Sequence, residues 1–405
     1  MNDMSKHDIS RRKFVATGAL AVSGLALHLP GLDALKKDDT IRIGLIGTGS
    51  RGTGLAALLK ELPAASIVAC CDPLPQHLAE GMKLAAPKAK AYSHHRQLLE
   101  DPNVDAVIIA TPLHTHYSIA VDALAAGKHI YLEKSMAYDI PQSLELVKKV
   151  RASSLVFQVG YQYRYYALYK RVKEVIKDNW AGKITGFECQ YNQNSNWRRP
   201  NDDPKLERAI NWRMYREYCG GPLSELCAHQ IDMVNYLLDA HPVKAIGIAG
   251  INYWKDGRDT YDNIRTVYEY PGGVQSSVTS ILSNGYKDYN IRILGDKATI
   301  EIMRDKAFIY AEPVNMKKAT VDGVTGATVK AYAAAQPLEY GSPGTNTVEP
   351  TIYSLADFFD CIRNKRKPVS NVETAHYSSV SILLGNMAAD KTTSVLWLEE
   401  YNAST

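Results

Sequence analysis

The chain has 405 residues, 47 Lys and Arg against 43 Asp and Glu, and 45% hydrophobic residues. That length supports two domains with cores of their own, and a net charge of +4 is too neutral to argue for nucleic acid or an anionic membrane as a partner. Cys70, Cys71, Cys189, Cys219, Cys227 and Cys361 show no CxxC or Cys/His spacing, so no metal site is expected.

At the N-terminus, Ser10-Arg11-Arg12-Lys13-Phe14 precedes an apolar run from Val15 to Leu27, closed by Pro30 and Gly31. Twin arginines before a modest apolar region resemble a twin-arginine export signal, so residues 1–37 read as signal and linker. The expected partner is then the translocase that moves folded proteins, and the expected location is the periplasm. The run is too short to span a bilayer, and no later run of about 18 apolar residues follows, so no stable membrane span is expected.

Residues 38–160 read as a doubly wound parallel sheet. The apolar strand Ile41 to Ile46 runs into Gly47-Thr-Gly49-Ser50-Arg51-Gly52 and a helical stretch from Leu55 to Leu62. Gly47 suits a tight turn, Gly49 lets the backbone approach a pyrophosphate, and Gly52 lets helix and strand pack closely. Free N–H groups at the helix start then favour the anion. A second strand, Ile67 to Cys71, ends in Asp72, 20 positions after Gly52, where a carboxylate can take a ribose diol. Asp72 favours NAD; Arg51 could soften that preference, which leaves NADP open. Further strands are expected at 91–92, 106–110, 129–133 and 156–159, with helices at about 116–126 and 141–152.

Residues 161–395 have a different texture. Period-two segments at about 183–192, 243–253, 264–270, 274–282, 289–294 and 298–303 point to a large, mostly antiparallel sheet with one open face, an α+β domain that suits a symmetric homo-oligomer. Helices are expected at about 168–178 and 222–238. A long excursion covers 311–350, and helices at about 352–364 and 372–389 close the chain. The 25 tyrosines against 6 phenylalanines suit carbohydrate stacking.

Three motifs fall where the first sheet presents its carboxyl edge. Thr111-Pro-Leu-His114-Thr-His116 can face the nicotinamide half of a cofactor. Glu133-Lys134 ends a strand; Glu133 can bind the nicotinamide ribose, and Lys134, partly buried beside a nicotinium, is poised to take a proton from an alcohol. In Gly220-Gly-Pro-Leu-Ser-Glu225-Leu-Cys-Ala-His229-Gln-Ile-Asp232, Glu225 and His229 stand at i and i+4, so the carboxylate can fix the imidazole's tautomer. Trp197, Arg198, Trp212 and Arg213 lie in two segments expected at the pocket mouth, where the rings can stack on a pyranose and the arginines bind its polar groups.

In this order the motifs resemble the Gfo/Idh/MocA oxidoreductases, from Thr40 to about Thr393. The resemblance implies a Rossmann domain with an open-sheet substrate domain, acting on a sugar or sugar derivative with a tightly bound NAD or NADP. It gives Lys134 the role of catalytic lysine, His116 that of the Thr-Pro motif's histidine and His229 that of the substrate-domain histidine. Arg164, in Gly160-Tyr-Gln-Tyr163-Arg164, falls near cofactor and substrate, beside Tyr163. Two departures stand out: Ser135 replaces the usual proline after Glu-Lys, and Glu225 and Cys227 replace the usual aspartate and glycine. Within that family a redox-neutral glycosidase or lyase is the alternative to net oxidation. A non-enzymatic sensor is the third class, against which the retention of Lys134 and His229 argues.

Overall fold

The structure, a computed structural model, describes residues 40–312, 319–321, 324–326, 334–341 and 349–403. The signal reading of residues 1–37 lies outside the described residues, as does most of the expected excursion.

The first sheet has six parallel strands in the order β3-β2-β1-β4-β5-β6. They are β1 (Ile41–Ile46), β2 (Ala65–Cys71), β3 (Lys90–Tyr92), β4 (Ala106–Ile109), β5 (His129–Leu132) and β6 (Phe157–Val159). Their near-continuous apolar runs are what a sheet covered on both faces requires. The helices between them are α1 (Ser50–Leu59), α2 (Pro75–Met82), α3 (His95–Leu99), α4 (His116–Ala125) and α5 (Ile140–Arg151). Strand order reverses between β1 and β4, which opens a crevice at their carboxyl ends.

After α6 (Ala167–Lys177), the second sheet runs β16-β13-β12-β11-β7-β10-β9-β8-β17. Its central strands are β7 (Ile184–Tyr191), β8 (Lys244–Gly250), β9 (Asn263–Glu269), β10 (Gln275–Ile281), β11 (Tyr289–Gly295), β12 (Ala298–Met303) and β13 (Lys306–Ala311). Short strands β16 (Gln336–Pro337) and β17 (Val395–Leu396) end it, and β14 (Ala319–Val321) with β15 (Val324–Gly326) forms a separate hairpin in the expected excursion. Pairing is antiparallel except between β7 and β10. One face packs on α7 (Ala228–Leu238) and α9 (Val372–Lys391), both rich in buried residues. The other face leaves Ile246 and Ile248 47% and 66% exposed.

The division at residue 160 needs one correction. Helix α8 (Pro350–Asn364) packs on the nucleotide-domain core, where Leu355, Phe358 and Phe359 join Ile43, Leu45 and Tyr131. Its apolar stripe matches the face that α1 leaves open, so the 161–395 segment sends one helix back. Where the domains meet, Arg164 lies against Asp232 with three N–H···O contacts of 2.7–3.1 Å, at 7% and 0% side-chain exposure. Ser378 also donates to Asp232 at 2.6 Å.

Removing one member of such a pair strands the other charge, at a cost of about 3–5 kcal/mol. Asp232→Ala should lose that much in chemical denaturation, and Arg164→Met with Asp232→Leu should recover most of it. Equal stability of the single and double variants would show that the pair does not act as a unit.

Candidate active site

The glycine turn after β1 is built as its sequence demands. Gly47 has φ +88°, and a Cβ there would lie 2.7 Å from the Ala110 carbonyl oxygen. A Cβ on Gly52 would collide with the Gly47 carbonyl, whereas one on Gly49 would meet nothing closer than the His77 ring at 3.8 Å. Gly49 caps α1 without a side-chain acceptor, and no acidic residue stands in the first turn. Free N–H groups at an open surface fit a pyrophosphate. At the end of β2, buried Asp72 accepts N–H bonds from Thr48 and Leu74 at 2.8 and 2.9 Å. His77, which sequence reading missed, stands 3.7 Å from this carboxylate; only the placement of α2 brings it there.

Arg51 points elsewhere than expected. Its Nε donates to Glu133 at 2.7 Å and its Nη2 to Thr351 Oγ1 at 3.4 Å. The guanidinium is therefore engaged at the strand-β5 side and is not left to meet a 2′-phosphate.

His116 also differs from expectation. It is 1% exposed, with Nδ1 2.7 Å from the Ser135 carbonyl oxygen and Nε2 2.9 Å from that of Thr111. Both ring nitrogens face backbone carbonyl oxygens; burial disfavours the charged ring, so its single N–H donates to one of them, and His116 sits against the turn that carries Lys134. The Lys134–Ser135 peptide is cis. Thr111 Oγ1 accepts from Thr115 at 2.8 Å, and half-buried His114 tilts against Tyr218 with ring centroids 4.7 Å apart.

Lys134 crosses the seam between the domains. Its Nζ donates to the carbonyls of Ser224 and Glu225 at 3.3 and 2.9 Å. These belong to a π-helical turn, Leu223–Cys227, that leads into α7. The wider turn changes the angle between residues four apart, so the expected Glu225–His229 pair is not made. Glu225 instead accepts from Arg213 Nε at 2.9 Å. Burial pushes the Glu225 carboxyl up, but the charges of Lys134 and Arg213 outweigh it and hold the group below its ordinary value. Burial, then the Lys134 and Arg51 charges, drive the His229 imidazole well below its usual range. His229 is therefore neutral, with Nδ1 lacking a hydrogen-bond partner among the described residues and its ring 5.1 Å from that of Tyr163.

Of the mouth residues, Trp212 lies 4.2 Å from the Arg213 guanidinium and so joins the Glu225 cluster. Trp197 donates to Gln193 at 2.9 Å. Arg198 is committed to Glu207 and the Asp256 carbonyl in neighbouring segments. Arg164, expected near the cofactor, is committed to Asp232. Both corrections have one cause: a buried or crowded guanidinium takes the nearest carboxylate.

Residues 41–161 match the model of the oxidoreductase family with an NAD-binding Rossmann fold, and residues 169–301 match the GFO/IDH/MocA C-terminal domain. The chain belongs to the Gfo/Idh/MocA oxidoreductase family. It is 31% identical over 206 residues to levoglucosan dehydrogenase of Pseudarthrobacter phenanthrenivorans, covering 49% of this chain and 51% of that protein. It is 26% identical over 233 residues to a glycosyl hydrolase family 109 protein of Shewanella pealeana, covering 51% and 50%. The chain thus spans about half the length of these two relatives. The fold matches that of a levoglucosan dehydrogenase solved in complex with NADH, with a TM-score of 0.72, 21% identity, and coverage of 88% of this chain and 99% of that one.

The arrangement predicts how His229 titrates. Every cause opposes its protonation, so its ring resonances should stay in the neutral position from pH 8 to below the ordinary value of about 6.5. Lys134→Met should move the titration upward. The unfolded chain takes up this proton at about pH 6.5, so stability should fall as pH drops below that value. A His229 resonance titrating at the ordinary position would contradict the geometry.

Proposed function

We propose that this protein oxidises a sugar or sugar derivative at a carbinol carbon, with Lys134 as acid/base and bound NAD as the hydride acceptor. One observation carries the reading. Lys134 spends two Nζ positions on the Ser224 and Glu225 carbonyls, and the third, an N–H in the ammonium and the lone pair in the neutral amine, is left for a substrate hydroxyl.

The nicotinamide, when bound, supplies the redox chemistry. Gly47, Gly49 and the start of α1 would hold its diphosphate, and Asp72 and Glu133 its two riboses. NAD is favoured over NADP because Asp72 repels a 2′-phosphate and Arg51 is engaged by Glu133. In its neutral amine form Lys134 takes the hydroxyl proton as hydride leaves and becomes the ammonium, because a free alkoxide is costly in a dry site. Neutral His229 accepts a second hydrogen bond from substrate and orients it. Tyr163 and Trp212 supply flat apolar walls against which a sugar ring packs.

A second reading has specific support. The twin-arginine segment argues for export to the periplasm through the translocase, where a lost nucleotide cannot easily be replaced. A relative is a family 109 glycosyl hydrolase. A closed cycle of oxidation, elimination, hydration and reduction on tightly bound NAD fits both. The open sheet face, with Ile246 and Ile248 exposed, suits pairing with a second copy.

The test is to purify the protein without added nucleotide, denature it, and quantify the nicotinamide released and its redox state. Near-stoichiometric nucleotide supports the closed cycle; an empty protein removes that reading and leaves exchange with a soluble pool. Levoglucosan, inositols and aryl glycosides are then screened. NADH accumulation supports the dehydrogenase, and glycoside cleavage without it supports the second reading. Lys134→Met should retain nucleotide and lower kcat by about 10²- to 10⁴-fold.

A further inference from the structure

The loop 192–200 carries two adjacent arginines with opposite fates. Arg198 is spent on Glu207 and Asp256 in neighbouring segments of the same domain. Arg199 leaves it: its Nη2 donates to Ser50 Oγ at 2.8 Å, across 149 residues of sequence. Ser50 is the first residue of α1, directly after Gly49.

The backbone that projects Arg199 is held firmly. Buried Asn211 accepts from the Arg199 N–H at 2.7 Å and donates to its carbonyl at 3.1 Å. The same amide donates to Glu207 at 2.9 Å. Arg258, with a fully buried side chain, ties down the Asn196 carbonyl. A loop fixed this way loses little freedom when its arginine is used.

The electrostatics at that point are unbalanced. A helix N-terminus carries partial positive charge and disfavours a nearby cation. Helix α1 has no acidic residue in its first turn, and Arg51 there is neutralised by Glu133. Among the described residues Arg199 has no carboxylate partner, and Ser50 Oγ is its one hydrogen-bond acceptor. An exposed cation therefore stands at the positive end of a helix with a neutral hydroxyl as its partner among the described residues. A diphosphate resolves this mismatch, because it accepts from the guanidinium and the helix N–H groups together.

We propose that Arg199 is a latch: carried by the second domain, it closes on the diphosphate of the dinucleotide at the start of α1 and slows its release. The inference rests on the fingerprint binding NAD and is independent of the substrate. It also places a cofactor contact in the domain otherwise assigned to substrate.

The experiment compares the full-length wild type with Arg199→Ala, Arg199→Lys and Ser50→Ala. NADH dissociation is followed by fluorescence, and ADP-ribose and adenosine binding by calorimetry. Losing a charged hydrogen-bond donor should speed NADH release by about ten- to a hundredfold. ADP-ribose should weaken by the same factor in Arg199→Ala, adenosine should be unaffected, and lysine should recover part of the loss. The salt dependence of ADP-ribose affinity should also shrink in Arg199→Ala.

A folded Arg199→Ala with wild-type NADH release and ADP-ribose affinity would overturn the latch. So would equal weakening of adenosine and ADP-ribose with a lowered apo melting temperature, which marks a strut between domains. A wild type that binds neither nucleotide would instead remove the reading of the fingerprint, and the latch with it.

Discussion

The Lys134 ammonium resting on the Ser224 and Glu225 carbonyls is the contact on which the arrangement of the site depends. Each end of that contact is prepared by its own domain. On one side, His116 holds the Ser135 carbonyl and fixes the turn after β5. On the other, a π-helical turn leads into α7, whose continuation carries His229 toward the pocket and Asp232 into the buried pair with Arg164. Turns of this type recur at functional sites because they redirect groups that a regular helix would keep in register. Here the redirection turns Glu225 to Arg213 and leaves His229 to stand alone.

That separation sets the electrostatics of the pocket. Lys134, Arg51 and Arg213 face two carboxylates, Glu133 and Glu225, and the two ion pairs account for Arg51 and Arg213. His229 sits in the remaining positive field with little water around it and is kept neutral. A neutral imidazole can accept a proton or share one, whereas a charged one could only donate. Had Glu225 paired with His229 as the spacing suggests, the imidazole would be drawn toward the charged form. The π turn thus separates the functions of two residues that simple helical counting puts together.

The fold was largely legible because its signals are local. Strands β1, β4 and β5 are short apolar runs, and the glycines of the first turn announce their geometry through Gly47 and Gly52. The position of Lys134 was legible for the same reason, since it follows a strand closely. The arginines were not. Arg164 finds Asp232 68 residues away and Arg51 finds Glu133 82 residues away, and neither distance leaves a trace in spacing. Arg198 and Arg199 are chemically identical neighbours; only the pinning of the loop by Asn211 and Arg258 decides which one turns inward. The return of α8 to the first domain was invisible because its apolar stripe would serve either core.

That return limits how the site can open. Phe358 and Phe359 are fully buried among Tyr131, Leu45 and Ile43, and Gln158 donates to the Ser354 carbonyl at 2.7 Å. Burying a phenylalanine side chain stabilises by about 1.5–3 kcal/mol, so a hinge that lifted the second domain away would expose several such groups at once. Against that cost, turning the exposed Arg199 side chain away from Ser50 breaks one hydrogen bond near water while the pinned backbone of 192–200 stays in place. On the proposed latch, nucleotide exchange needs only that side chain to move, and a contact as small as that between Arg199 and Ser50 acquires weight out of proportion to its area.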